Sequence, residues 1–218
     1  MSKHRHDVIL RELKEHAPFT AMGAASGIVL MAAVVLLHVP EHISHTAFYV
    51  FHPLHVLFSS FVTAAMFWRY KRSLVLTFAI GYLGSVGIGT LSDILLPHLG
   101  AGLIGVEMGH VHVGFIEKWW LINPLALLGI GAGIMLPRTK VPHFGHVLLS
   151  TWASLFYPLS HGHAENWLPL LAPMFLVLFV AVWLPCCLSD IAFPLFFVGE
   201  PAAEDRGEQD REDTTDSP

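Results

Sequence analysis

The chain has 218 residues, 54 % of them hydrophobic and only 13 % charged, with a mean hydropathy of +0.58 and a formal net charge of −5. Ordinary soluble domains carry about a quarter charged residues, so the composition excludes a typical water-soluble globule, and no nucleic-acid partner is expected. The charges crowd into the ends and a few short loops, between near-continuous runs of Leu, Val, Ala, Phe and Gly. A transmembrane helix needs about 20 mostly apolar residues, and such runs recur, which predicts an all-α integral membrane protein.

Residues 1–16 are charged and lack a short apolar stretch with a small-residue cleavage site, so they read as a cytoplasmic segment without a cleavable signal. Within them, Asp7 to His16 is expected as a short surface helix. Six spans follow, over about 18–39, 47–68, 73–96, 119–136, 142–160 and 167–197. Lys3, Arg5, Arg11 and Lys14 precede the first span. Arg69, Lys71 and Arg72 separate spans two and three, and Arg138 and Lys140 separate four and five. The opposite loops hold no Lys or Arg except Lys118, so the positive-inside rule puts both termini in the cytoplasm. Trp68, Tyr70, Trp119, Trp120 and Trp167 fall at expected interfaces. Residues 101–118 form an outer loop, and residues 199–218, with eight Asp or Glu and no aromatic residue, read as a disordered acidic cytoplasmic tail. Cys186 and Cys187 are adjacent, a poor geometry for a disulfide. A prokaryotic cytoplasmic membrane is the expected location, and a homodimer is compatible with the pattern.

Three echoes divide the chain in two. "PFTAMGAASGIVL" (18–30) aligns without gaps on "PLALLGIGAGIML" (124–136), "HPLHVLFSS" (52–60) on "HFGHVLLST" (143–151), and "LSDILLP" (91–97) on "LSDIAFP" (188–194). They fall on spans one, two and three, then four, five and six. The expected architecture is therefore two inverted-topology three-helix repeats, residues 17–100 and 119–198, as in many secondary transporters. Gly23-x-x-x-Gly27 and Gly129-x-x-x-Gly133 allow close helix approach. Span three, with Gly81, Gly84, Gly87 and Gly89, and span six, with Pro169, Pro173 and Pro185, are expected to be interrupted.

Histidines three apart on a helix share a face. Pro53 and Pro142 suggest that His52/His55 and His143/His146 occupy the first turns of their helices. The topology then sets His52, His55 and Asp93 near the outer face, and His143, His146 and Asp190 near the inner face. Two imidazoles and a carboxylate suit a borderline divalent cation such as Zn, Fe, Mn, Co or Ni. Cys186 or Cys187 is a weaker addition to the inner set, likelier as small buried apolar groups. Ser59, Ser92, Ser150 and Ser189 are hydrogen-bonding candidates. His110, His112, His161 and His163 crowd the outer loops, and Glu117, beside Lys118, reads as an interfacial ion pair or a further ligand. Glu107 and Asn123 are candidates for an outer vestibule.

These features point to a secondary transporter of a divalent transition-metal cation, coupled to protons, with a His-x-x-His plus Asp set at each membrane face. A purely structural role for the His–Asp pairs competes with it. So do an anionic solute as substrate and an integral-membrane metalloenzyme of hydrolase or di-iron oxidase type, which requires both sets at one depth. Haem ligation by paired histidines is a third class, although no organic cofactor is expected. The His55–His146 separation discriminates: far apart favours gates, close together favours one centre.

Overall fold

The computed structural model of the chain describes residues 3–136 and 143–187. Asp190, Ser189 and the tail lie outside the described residues, as do the side chains of His143, Cys186 and Cys187. The elements in order are α1 (Lys3–Leu36), α2 (Glu41–Tyr70), α3 (Leu74–Leu103), β1 (Glu107–Met108), α4 (Gly114–Glu117), α5 (Trp119–Met135), α6 (His143–His161), β2 (Gly162–His163), a 3₁₀ turn (Leu168–Leu170) and α7 (Leu171–Cys187).

A helix overlaps each expected span, the last of them described only as far as Cys187. Among the described residues, four stretches are long and apolar enough to cross a membrane: Ala17–Leu36 of α1, Glu41–Arg69 of α2, all of α3, and Leu168–Pro185. The apolar α5 has only 17 residues, and α6 buries a polar face of His146, Ser150, Thr151, Ser154 and Ser160. Residues 7–16 are helical and lead directly into the first span as the start of α1.

α1 ends in a left-handed residue, His38 (φ 51°), with Val39 N–H donating to Val34 O at 3.0 Å. A left-handed residue with a bond reaching five positions back is the usual way a helix satisfies its last carbonyls. Pro40 then blocks continuation and α2 opens at Glu41. Pro53 lies inside α2, not at its start. A helix surrounded by helices accommodates such a residue because neighbouring groups re-satisfy the freed carbonyl.

α2 is the central element, packed against α3, α5 and α6. Against α3 it runs antiparallel: Gly81 faces Ala64, Gly89 faces Val56, and Asp93 meets His52 and His55. Against α5 it runs parallel. A Cβ at Gly129 would strike Leu57 O and Ser60 Oγ, and one at Gly133 would strike Phe61 O, so the two backbones touch. That is the close approach expected from the second Gly-x-x-x-Gly. Against α6 it runs antiparallel, through ring contacts of His55 with His146 (4.6 Å), Phe51 with Trp152 (5.2 Å) and Phe48 with Tyr157 (5.3 Å). These directions agree with alternate crossing of a bilayer.

The expected interruption of α3 takes another form. The helix is continuous but contains two π segments, Leu83–Gly87 and Leu91–Leu95. Each π turn inserts a residue into the helical repeat and re-aims the side chains that follow; such turns are concentrated at functional sites. The second one carries Ser92 and Asp93.

Candidate functional site: a buried carboxylate shared by two imidazoles

Asp93 is completely buried. Its Oδ2 accepts Nδ1–H from His52 at 2.9 Å and from His55 at 2.6 Å. Its Oδ1 accepts the hydroxyls of Ser92 at 2.7 Å and Ser150 at 2.9 Å. Ser154 Oγ lies within reach of the Ser92 and Ser150 carbonyls, at 3.0 and 2.7 Å. Taking a carboxylate out of water costs several kcal/mol unless it is paired and hydrogen-bonded. Four donors around one carboxylate meet that requirement.

These bonds fix the protons. Both imidazoles donate through Nδ1, so each neutral ring presents Nε2 as its lone-pair nitrogen. His52 Nε2 is buried and has no hydrogen-bond partner among the described residues. It faces Gly114 at the start of α4, where a Cβ would stand 3.2 Å away. Phe48 stacks on the His52 ring with an interplanar angle of 5°. The His55 ring meets His146 edge to face.

The expected placement of His146 in a separate inner set is therefore corrected, while the His143 side chain and Asp190 lie outside the described residues. α2 begins at Glu41, so His52 and His55 lie several turns inside the helix rather than in its first turn. α6 begins level with the middle of α2, whereas Gly133 near the end of α5 packs beside Phe61 and Ala65. His146 consequently joins the His52–His55–Asp93 group instead of facing the opposite side. Residues 17–100 supply His52, His55, Ser92 and Asp93, and residues 119–198 supply His146, Ser150 and Ser154, so the centre straddles the two halves.

Toward the other end of α2, Ser59 and Thr63 continue the buried face of His52 and His55. The hydroxyls of Thr63 and Thr90 are buried without hydrogen-bond partners among the described residues. At the loop end, His110, His112, His161, His163 and Glu117 gather around β1 and β2. Glu117 does not depend on Lys118: its carboxylate meets His112 Nδ1 at 3.1 Å, while the Lys118 ammonium lies 5.4 Å over the Tyr49 ring. Asn123 accepts from Tyr82 OH at 3.0 Å and reaches Phe115 O at 3.4 Å, joining α5 to α3 and α4 rather than lining a vestibule. Glu107 is exposed on β1.

Among the described residues, no three His, Cys, Asp or Glu groups are arranged in this conformation to hold a metal ion. Asp93 uses both oxygens within the protein, so it acts on a metal only through the histidines it orients. Carboxylates that hold an imidazole by its second nitrogen are usual around metal-ligating histidines. The donors present thus fit a cation at Nε2 positions, and they also fit a proton-carrying group.

Ser92 and Ser150 are among the serines expected to hydrogen-bond, but the pairing of Ser150 with Asp93 and of Ser154 with the Ser92 carbonyl depends on the α6 register, which no sequence pattern displays. The π turns left a faint trace, the glycines of span three. The chain matches no protein-family model, no curated protein and no solved structure.

Proposed function

We propose that the chain is a secondary transporter of a divalent transition-metal cation, coupled to protons, with one central His–Asp centre between two inverted three-helix halves. The observation that carries this reading is the buried Asp93 carboxylate bridging His52 and His55, drawn together with His146 across the two halves. Ionisable groups inside membrane helices are costly, and they mark ion pathways and proton relays. Transporters place substrate and coupling-ion sites at a repeat interface, and the contact of His55 with His146, one from each expected repeat, supports that reading. The buried Ser59, Thr63 and Thr90 supply hydroxyls along the same face. In this scheme both termini are cytoplasmic, and protonation of the imidazoles opposes cation binding because His must be neutral to ligate.

The 4.6 Å contact of His55 with His146 favours a second reading, an integral-membrane metalloenzyme with one centre. A di-iron site of the helix-bundle type draws on several carboxylates, whereas Asp93 is the one buried carboxylate among the described residues. Transport is therefore preferred. An anionic solute fits less well, since the centre already contains a carboxylate.

The test is metal flux into proteoliposomes under an imposed pH gradient, across Zn²⁺, Mn²⁺, Fe²⁺, Co²⁺ and Ni²⁺. Flux of at least one ion is expected, and Asp93→Asn, His55→Ala and His146→Ala should each lower it by about tenfold or more. No flux of any ion would overturn the function, and undiminished flux in all three variants would overturn the site.

A further inference from the structure

The short antiparallel pair β1–β2, with Glu107 opposite His163 and Met108 opposite Gly162, brings two distant His-x-His segments together. Gly162 permits this, since a Cβ there would meet Pro158 O and Val106 at 2.8 Å and Met108 Sδ at 2.6 Å. The rings of His110 and His112 lie 4.1 Å apart, and those of His112 and His161 4.5 Å apart. Tyr157 OH accepts the His112 backbone N–H at 3.0 Å and pins the loop to α6.

The hydrogen bonds again assign the protons. His112 Nδ1 is held by both oxygens of Glu117 at 3.1 Å. His161 Nδ1 lies 2.7 Å from Ser160 Oγ and 3.1 Å from Tyr157 O, and a carbonyl can only accept, so this nitrogen donates. Both rings therefore keep Nε2 as the lone-pair nitrogen, each oriented by an oxygen on its other side, the pattern found behind metal-bound imidazoles.

We propose that this loop end holds a second transition-metal site, in which His112 Nε2 and His161 Nε2 are the first two ligands and His110 supplies the third. In the present conformation the rings lie side by side rather than converging on a point. His110 is exposed, so rotation of its side chain brings it to the metal, and water completes the tetrahedron. A site closed by one mobile histidine and water exchanges its ion readily, which suits capture rather than storage. It also lies close to the buried centre: Phe48 contacts His161 at 5.7 Å on one side and stacks on His52 at 5.3 Å on the other. As an entry or exit station the site rests on the function proposed above; as a binding site it stands without it.

The experiment is titration of the purified full-length protein in nanodiscs with Co²⁺, followed by its visible absorption and by competition with Zn²⁺. A His55→Ala/His146→Ala background, which removes two of the three buried imidazoles, separates the loop site from the buried centre. His112→Ala and His161→Phe, the latter keeping a ring against Tyr157, should each weaken binding by about tenfold or more. Glu117→Gln should weaken it by about tenfold with stoichiometry retained, because it alters only the orientation and basicity of His112. His42→Ala and His163→Ala should leave it unchanged. Unchanged titration in the His112→Ala/His161→Phe double variant would overturn the proposal, as would equal loss in His163→Ala. Failure of metal flux with the titration intact counts against the transport reading and leaves this site standing.

Discussion

At the scale of single residues, Asp93 separates a structural role from a functional one. Asp93→Ala leaves two imidazole N–H groups and two hydroxyls buried without their acceptor, and removing one partner of a buried ionic group costs about 3–5 kcal/mol. Asp93→Asn keeps the shape: its Oδ1 can accept from the histidines while Nδ2 donates to serine oxygens, which can reverse roles because a hydroxyl both donates and accepts. A loss of about 1 kcal/mol is expected for Asn, and a loss of at least that size for Ser150→Ala, which removes the hydrogen bond to Asp93 Oδ1. Reversible unfolding in mild detergent measures all three. Flux should nevertheless fall by about tenfold or more in Asp93→Asn, because the charge is gone. A folded Asp93→Asn protein with full flux would reduce the centre to a structural pairing.

At the scale of elements, the π turns of α3 are the feature that positions the site. Ile88–Thr90 separates the two π segments, and Asp93 lies in the second. Inserting one alanine after Gly87 adds a residue that the π turn does not absorb and rotates everything after it by about 100° relative to Leu74–Tyr82. A Cβ at Gly87 meets nothing within 4 Å, so Gly87→Ala should be neutral in stability and flux, whereas the insertion should retain helix content by circular dichroism and lose flux. Gly133→Leu is the contrasting case. Its side chain would enter backbone of α2 at Phe61 and Ala65, and overpacking of this kind costs about 1–3 kcal/mol or more. The helices themselves were legible because apolar runs and basic loops dominate a membrane chain. The π turns were not, since Gly81, Gly84, Gly87 and Gly89 read equally well as a break, and the choice depends on Asp93 meeting partners on α2 and α6. The first-turn expectation for His52 and His55 differs from the structure for a related reason: a proline marks a helix start and a kinked interior equally well, and Pro40 rather than Pro53 precedes the first turn of α2.

At the scale of the whole molecule, the ends of the helices decide what the histidine pairs do. Charge asymmetry in the loops fixes which way a helix runs, but it does not fix how deep a helix begins, and α6 begins beside the middle of α2. That offset brings His146 of the anticipated inner set to His52, His55 and Asp93, with polar groups on either side: Ser160 and His161 toward the loop end, Ser59 and Thr63 toward the other. Under the proposed transport function, a single centre makes alternating access a reciprocal motion, whereas gates at separate faces could open independently. In a background with Cys186→Ser and Cys187→Ser, Ser160→Cys and Thr63→Cys place near-isosteric thiols on the two sides, both buried in the present conformation. Labelling with an impermeant thiol reagent, added from each side of sealed vesicles, should show that any change of pH or metal that exposes one thiol protects the other. Simultaneous exposure of both would indicate a continuous pore, and constant protection of both under every condition would argue for a closed centre of the enzyme type. Reciprocal exposure that disappears in Asp93→Asn would tie the motion to the charge at the centre, because the two halves would then lack the carboxylate through which His52, His55 and Ser150 are joined.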